Sequence, residues 1–349
     1  MYCQYTYNMV GVIKVKTEVL RMLKETDDYL SGQEICERLN VSRTAVWKVI
    51  KQLETEGYEI EAVRNRGYRL RFLGDVLSQA ELESSIDSEW AGKNILYFDE
   101  TDSTNTEIKK AAEKDAPHGT LAVADYQSMG KGRRGRSWAA PHGVGIWMSL
   151  LLRPELPPTC ASMLTLVAAL AVYDGIKETT GLETVIKWPN DIVAEGKKLC
   201  GILTEAETNF ETGEIQKIIV GIGINCFEDA AMPPELREVA TFLDKPQESF
   251  DRNALIAAIA NEFFDMLAHF DRAKIVRDYR ARSFILGQQI LIFNPAIARA
   301  IGRPDNRLSE GIRARAIDID ENGGLVVEYL EGTKSRQMET LSTGEITVR

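Results

Sequence analysis

The stretch YQSMGKGRRGRSW, residues 126–138, decides between two folds. It sets Lys131, Arg133, Arg134 and Arg136 among Gly130, Gly132 and Gly135, in a chain of 349 residues whose formal net charge is −10. Such local charge on an acidic protein suits a dinucleotide fingerprint, a nucleic-acid patch or a pocket for another anion. The spacing Gly130-x-Gly132-x-x-Gly135 matches the dinucleotide pattern, but that fingerprint needs a helix opening at the loop. Here TLAVADYQ (120–127) enters as a strand. The exit, SWAAPHGVGIWMSLLL (137–152), carries Pro141, Gly143 and Gly145 before a β-rich run from Ile146 to Leu152. No helix dipole would face a pyrophosphate, so a Rossmann fold is excluded. What remains is a basic, glycine-rich loop between two strands, able to surround a polyphosphate, with a surface nucleic-acid loop as the competing account. Four like charges this close repel, so the loop should be mobile until an anion neutralises it. Trp138 is placed to cover a planar or apolar ligand.

On either side of this loop the chain offers further polar positions. ILYFDETDSTN (95–105) reads as a strand ending in side-chain oxygens. Thr104 with Glu107 forms a capping box, crowding Ser103, Thr104 and Asn105 at the start of a helix to about Asp115. Taken alone, such a cluster only caps; the alternative is a polar or anionic ligand at exposed helix N–H groups. After a long apolar helix (159–181), ETVIKWPNDIVAEGKKLCGILTEAE (183–207) puts Lys187 on a strand end beside a rigid Trp-Pro turn, a good place to fix one ammonium. QKIIVGIGIN (216–225) is a further buried strand, in which Gly221 and Gly223 permit close backbone approach.

The N-terminal part has another logic. Val19, Leu20, Leu23 and Leu30 fit a first helix over residues 17–30. Ser31 and Glu34 then cap a helix through Leu39, and Ser42 caps another from Arg43 to about Glu56. On this last helix Val46, Val49, Ile50 and Leu53 form a buried stripe, and Arg43, Thr44, Trp47, Lys48 and Lys51 form the other face. YEIEAVRNRGYRL (58–70) follows as a hairpin with a cationic tip. Residues 38–71 hold eight Lys/Arg against four Asp/Glu, which reverses the sign of the chain. That is winged helix-turn-helix logic with a field suited to phosphates, and it nominates Arg43, Thr44, Trp47, Lys48, Arg64 and Arg66 for DNA. The alternative is a module used for protein contacts only.

The polar segment 73–88 reads as a linker with one short helix. Helices are expected over about 252–270 and 274–284. The alternating tail from residue 287, with turns at 321–324 and 331–332, reads as a small SH3-like barrel. The loop NPAIARAIGRPDNRLSE (294–310) is longer than that barrel needs. The expected organisation is thus α/β multidomain (α+β): a winged helix-turn-helix at 15–72, a linker at 73–88, a mixed α/β domain at 89–285 and the barrel at 286–349. Five scattered cysteines, an odd number without a CxxC pair, argue for reduced thiols in cytoplasm and against a zinc site. Three unpaired histidines leave no ligand set for a metal. No apolar run approaches the ~18–20 residues that span a bilayer. The first residues lack a secretory pattern, with Met1 and Met9 as alternative starts.

Read together, DSTN (102–105), YQSMGKGRRGRSW, KWPNDI (187–192), KLCGIL (198–203) and IIVGIGIN (218–225) occur in the order and approximate spacing of biotin protein ligases. With the winged helix in front, the chain resembles the bifunctional members that ligate biotin and repress biotin operons, over roughly residues 15–349. The resemblance implies a central domain of the biotin/lipoate ligase type. It implies that Ser103, Thr104, Asn105 and Gln127 bond the biotin ring system, that Lys131, Gly132 and Arg133 lie on its tail and the phosphate, and that Lys187 is the central cation. Gly201 and Gly221 would line the biotin pocket, and Arg133, Arg136, Trp138, Lys187 and Asn225 would serve the adenylate, with Lys187 and Arg133 catalytic. The segment NCFEDAAMPPELREVATFL (225–243) resembles one that closes over the adenylate. The family's basic loop usually reads GRGRRGR; Lys131 keeps the charge there but not the planar fork. Implied with these are biotin, ATP and Mg²⁺, an apo-biotin carboxyl carrier protein as acceptor, operator DNA, and a homodimer when biotinyl-5'-AMP is bound. The other readings are a lipoate-type ligase of the same superfamily and a non-catalytic biotin-sensing repressor.

Overall fold

The computed structural model describes residues 15–26, 28–72, 75–86, 94–153, 161–208, 215–229, 232–243, 250–294, 297–298 and 310–348. The first helix, α1, is described over residues 15–24 and ends short of the expected 30. Leu30 leaves it because its backbone is used elsewhere: it exchanges N–H···O bonds of 2.8 and 2.9 Å with Tyr68. Helices α2 (Gly32–Leu39) and α3 (Arg43–Thr55) start at Ser31 and Ser42, whose side chains accept from the N–H groups of Glu34 and Ala45. Between them Asn40 takes the left-handed conformation, φ 52°, which makes the three-residue turn possible. Strands β1 (Glu59–Val63) and β2 (Gly67–Phe72) form the wing. Val19, Leu20, Leu23, Ile35, Val46, Ile50 and Leu53 share one core beneath it.

The expected linker contains a docked helix, α4 (Gln79–Ser85), which Ser78 caps at its start. Its segment belongs to both neighbours: Ala80 and Val76 join the N-terminal core, and Leu77 and Leu82 the central core. Residues 73–74 and 87–93 of that linker, and most of the long segment 294–310, lie outside the described residues.

The central domain is built on a seven-stranded mixed sheet ordered β3-β4-β5-β9-β8-β7-β6. These strands are β3 (Ile95–Thr101), β4 (Leu121–Gln127), β5 (Gly145–Leu152), β6 (Val185–Lys187), β7 (Asp191–Ala194), β8 (Lys197–Thr208) and β9 (Ile215–Asn225). Among the described strands of this sheet only β3 and β4 pair in parallel, joined through α5 (Thr104–Ala112). One face carries α6 (Ala161–Thr180), α8 (Arg252–Ala268) and α9 (Arg272–Arg282), whose apolar residues fill the main core with the sheet. A short α7 (Pro234–Val239) runs beside the start of β8. The C-terminal domain is a five-stranded antiparallel sheet, β13-β12-β11-β10-β14, made of β10 (Gln289–Ile292), β11 (Ile312–Ile319), β12 (Leu325–Tyr329), β13 (Met338–Leu341) and β14 (Ile346–Val348). Pairing of its first strand with its last is the order an SH3-like sheet requires. Trp188 anchors this domain to the centre: its buried indole Nε1 donates to the Gly323 carbonyl at 3.0 Å.

Candidate active site

The 126–138 loop is a strand-to-strand connection, as its context predicts. β4 ends at Gln127, a tight 3-10 turn covers Arg133–Gly135, and β5 begins at Gly145. The turn is closed by Gly132 N–H to the Arg136 carbonyl at 2.7 Å, with Arg134 left-handed at φ 57°. The loop covers one end of the sheet, where it meets the ends of β6, β8 and β9 and the turn before β14. Together they enclose a cavity of about 300 Å³.

At one end of this cavity stands a hydrogen-bonded polar set. Thr104 N–H and Oγ1 both donate to Gln127 Oε1, at 2.7 and 3.0 Å. Because an N–H must meet an acceptor, that bond fixes the Gln127 amide with its NH₂ group free to face a ligand. Ser149 Oγ lies 2.7 Å from Thr104 Oγ1 and 2.6 Å from Asn105 Oδ1, and Asn105 Nδ2 donates to Glu205 Oε2 at 2.7 Å. Ser103, Thr104, Asn105 and Gln127 are all buried. The expected capping box does not form. Ser103 is the cap residue without a side-chain bond, Thr104 is drawn to Gln127, and Glu107 accepts instead from Thr101 Oγ1 at 3.1 Å. These residues line the cavity and do not cap the helix start, and α5 ends at Ala112 rather than near Asp115.

The other end is cationic. Lys131, Arg133, Arg134, Arg136, Lys187 and Lys198 line it. Arg133 Nη1 donates to Asn190 Oδ1 at 2.9 Å and to the Gly344 carbonyl at 3.3 Å, which stretches it between the turn after β6 and the C-terminal domain. Burial, and then Arg134 beside it, lowers the Arg133 guanidinium from its usual value, yet a guanidinium stays charged. Arg136 Nη2 reaches both oxygens of Glu345 at 2.6 Å, and Arg134 lies 3.9 Å from the same carboxylate. One carboxylate within the chain thus answers part of the loop's positive charge. The expectation of a loop waiting for an external anion missed this partner, because it lies 209 residues away from Arg136.

Trp138 forms the cavity's apolar wall. A methyl group at Gly201 or Gly223 would stand 2.7 or 2.8 Å from its indole, so only glycine admits the ring there. Its Nε1 is buried with no hydrogen-bond partner among the described residues. Lys198 Nζ sits 5.2 Å from the ring centre and 2.7 Å from Asp191 Oδ1. Lys198, Asp191, Ser149, Glu205 and Glu345 are contributors that the sequence alone does not single out, although Asp191 lies within KWPNDI and Lys198 opens KLCGIL. Asn225 is not a lining residue: its Nδ2 donates to the carbonyls of Lys198 and Thr241, at 3.5 and 3.2 Å, so it ties the 225–241 segment to the rim.

A carboxylate and a nucleotide phosphate could share the cationic end, with an apolar or ring-shaped body lying toward the hydroxyl and amide end. Among the described residues no group of three His, Cys, Asp or Glu side chains could hold a metal ion.

A family model described as "Biotin/lipoate A/B protein ligase family" matches residues 97–225. An HTH domain model matches 16–69, and the biotin protein ligase C-terminal domain model matches 307–349. The bifunctional ligase/repressor BirA of Bacillus subtilis (strain 168) is 40% identical over 310 residues, 88% of this chain and 92% of its own. The chain belongs to the family of bifunctional biotin ligase/repressors. Its relative of the same name in Escherichia coli (strain K12) is 29% identical over 306 residues, covering 87% of this chain and 92% of that one. Among solved structures, the biotin protein ligase from Aquifex aeolicus in complex with biotin and ATP matches with TM-score 0.58 and 27% identity, covering 74% of this chain and 99% of that one.

In this ligase/repressor chain the second candidate surface is the winged helix. Arg43, Thr44, Trp47 and Lys48 stand exposed on one side of α3, with Trp47 53% exposed. Arg64 is exposed at the wing tip. Arg66 is engaged within the module, 3.1 Å from Asp28 and over the Tyr29 ring at 4.2 Å. Arg43 donates to Gln33 at 2.8 Å, which braces α3 against α2. Among the described residues no helix is long and apolar enough to cross a membrane.

Proposed function

We propose that this protein is a biotin protein ligase and a biotin-responsive transcriptional repressor. In the first step the biotin carboxylate attacks the α-phosphate of ATP, which enters as its Mg²⁺ complex; biotinyl-5'-AMP forms and pyrophosphate leaves. In the second, a lysine amine of an apo-biotin carboxyl carrier protein attacks the mixed anhydride and AMP departs. The observation that carries this reading is that Lys187, from the end of β6, shares one cavity with the basic loop and with the buried Ser103–Thr104–Asn105–Gln127 set. Two anions repel. An ammonium and guanidinia fixed around their meeting point offset that repulsion and stabilise charge developing at phosphorus.

In this reading Ser103, Thr104, Asn105 and Gln127 hold the biotin ring, with Gly201 and Gly221 giving it room. Lys131, Gly132 and Arg133 take the tail and phosphate. Arg136 and Trp138 take the adenylate, and Asn225 acts on it through the segment it ties down. No nucleophile is asked of the chain. The buried thiols of Cys200 and Cys226, both pushed up by burial, are unsuited to that role. Residues 15–72 bind the operator through α3 and the wing, 89–285 carry the chemistry and 286–349 complete its cavity. The adenylate-bound chain is a homodimer on a two-part operator, and the protein works in the cytoplasm.

Incubation with biotin, ATP-Mg²⁺ and an apo-carrier domain should add one biotin to the acceptor, read by mass. Lys187→Ala should lower the rate of pyrophosphate release by about 100-fold or more, the scale of removing one charge-stabilising group. Full adenylation by that variant would refute the mechanism. Lipoate in place of biotin should release no pyrophosphate.

A further inference from the structure

A buried charge cluster lies among residues that do not line the cavity. Arg252, the first residue of α8, has a side chain only 3% exposed, and so is that of Asp75, at 2%. Arg252 Nε lies 2.6 Å from Asp75 Oδ2, and its backbone N–H donates to Asp75 Oδ1 at 3.2 Å. Its Nη1 donates to Asp125 Oδ1 at 2.8 Å and to the Gly145 carbonyl at 2.9 Å. The three partners belong to three places: Asp75 to the segment after the wing, Asp125 to β4 two residues before Gln127, Gly145 to the start of β5. Buried ion pairs of this kind rarely add net stability over an apolar packing, so their geometry asks for another role.

Both ends of the cluster lead somewhere. On the cavity side, Asp125 Oδ2 accepts from Gly143 N–H at 3.2 Å and lies 3.3 Å from His142 Nδ1, and His142 stacks on Tyr126 with centroids 4.5 Å apart. The turn so held, 138–145, carries Trp138 at one end and is clamped at Gln127, whose N–H donates to the Ala140 carbonyl at 3.0 Å. On the other side, Asp75 opens the strut that ends in α4. Asn253, next to Arg252, accepts from Ser78 N–H and donates to the Val76 carbonyl. The strut is in turn bound to the DNA-binding module, through the ion pair of Lys24 with buried Glu81, Thr17 Oγ1 to Glu83 at 2.8 Å, and Tyr58 to Ser78 at 3.1 Å.

We propose that the Asp75–Arg252–Asp125 triad is a positioning element, which makes the seating of the strut, and through it of the DNA-binding module, a condition for holding the Trp138 turn over the ligand cavity. The inference rests on the ligase reading for what the cavity binds. By linkage the same triad lets ligand in the cavity favour one seating of the DNA-binding module.

The test uses the full chain. Asp75→Asn keeps the shape of the side chain and removes its charge at a residue that does not line the cavity. Expected are rises of about tenfold in biotin KM and in the loss rate of preformed adenylate, with kcat at saturation within about twofold. Arg252→Lys, which keeps the cation but not the fork, should give an intermediate rise and serves if Asp75→Asn does not fold. Phe263→Leu, in the core of α8, is the control matched for loss of thermal stability and should leave KM unchanged. Wild-type KM and retention in Asp75→Asn, or the same rise in Phe263→Leu, would overturn the proposal. Calorimetric titration with biotin reads the shift without turnover. A wild-type chain that bound biotin yet released no pyrophosphate would therefore fail the ligase reading while the triad was still judged.

Discussion

Replacing Gly221 by alanine tests the polar end of the cavity with a single methyl group. Gly221 lies in β9 opposite Ser149 of β5, and its backbone is ordinary strand, so alanine brings no conformational strain. The added Cβ would stand 2.2 Å from Asn105 Oδ1 and 3.0 Å from its Cγ. Asn105 must then swing its whole amide, breaking the 2.6 Å contact with Ser149 and the 2.7 Å bond to Glu205. A neutral hydrogen bond contributes about 1 kcal/mol and one to a carboxylate about 1.5–3. Glu205 is exposed and regains water, so the lower figures apply, and restoring the productive amide costs about 2 kcal/mol. Biotin affinity should fall about 30-fold at 1.4 kcal/mol per decade. Lys187 and the basic loop are untouched, so kcat at saturating biotin should change by less than about threefold while KM carries the loss. Pyrophosphate release measured against biotin concentration separates the two. The cycle with Asn105→Ala sharpens the test, since Gly221→Ala should do little once there is no amide to displace. An unchanged KM, or a collapse of kcat at constant KM, would refute the assignment of Asn105 to ligand binding.

Three other perturbations address the rest of the chain. Gly67→Ala places a Cβ 2.1 Å from the Leu30 carbonyl at φ 118°, and should destabilise the winged helix by about 1–3 kcal/mol and abolish operator binding while adenylation persists; melting and mobility-shift assays read both. Lys48→Ala should weaken operator binding evenly across sequences and reduce the slope of log K against log salt by about one, whereas Trp47→Ala, a large exposed aromatic on the same face, should change affinity with the slope intact. Glu81 is held above the usual carboxylate range by burial, with Lys24 opposing, and its Oε1 has no hydrogen-bond partner among the described residues. The folded chain therefore binds this proton more readily than the unfolded chain. Its contribution to stability rises as pH falls from neutral toward the carboxylate range, and Glu81→Gln should flatten that slope in denaturant midpoints.

What could be read in the sequence was local. The basic loop falls between strands because its glycines are followed by a β-rich run rather than a helix, and β5 at Gly145–Leu152 is that run. The serine caps of α2 and α3 and the buried stripe of α3 depend on spacings of three and four residues, and they are there. What could not be read depends on pairings across the fold. Thr104 and Glu107 have the spacing of a capping box, but a buried acceptor on a neighbouring strand, Gln127, outbids the helix start for the threonine. Leu30 has helical spacing from Leu23, but its backbone is taken by the wing. Glu345 and Asp75 carry no local signal, since an acidic residue in a turn is an ordinary solvated group until tertiary structure sets a guanidinium against it.

The charge of the basic loop shows why the modules cannot be treated as beads on a string. Four cations within six residues, 131–136, would repel strongly in a low-dielectric cleft, and folding them together requires compensation. Only part of it comes from the central domain, through Asn190 on Arg133 and the Asp191 charge acting on Arg133 and Arg136. A further part comes from the turn before β14, where Glu345 takes Arg136 and Arg134 and the Gly344 carbonyl takes Arg133. The C-terminal sheet is thus part of the electrostatic wall of the cavity, just as the strut behind the wing is part of its mechanical support. A cavity assembled in this way takes its geometry from all three domains at once, so a change of seating in any one of them must be felt by whatever anions the cavity holds.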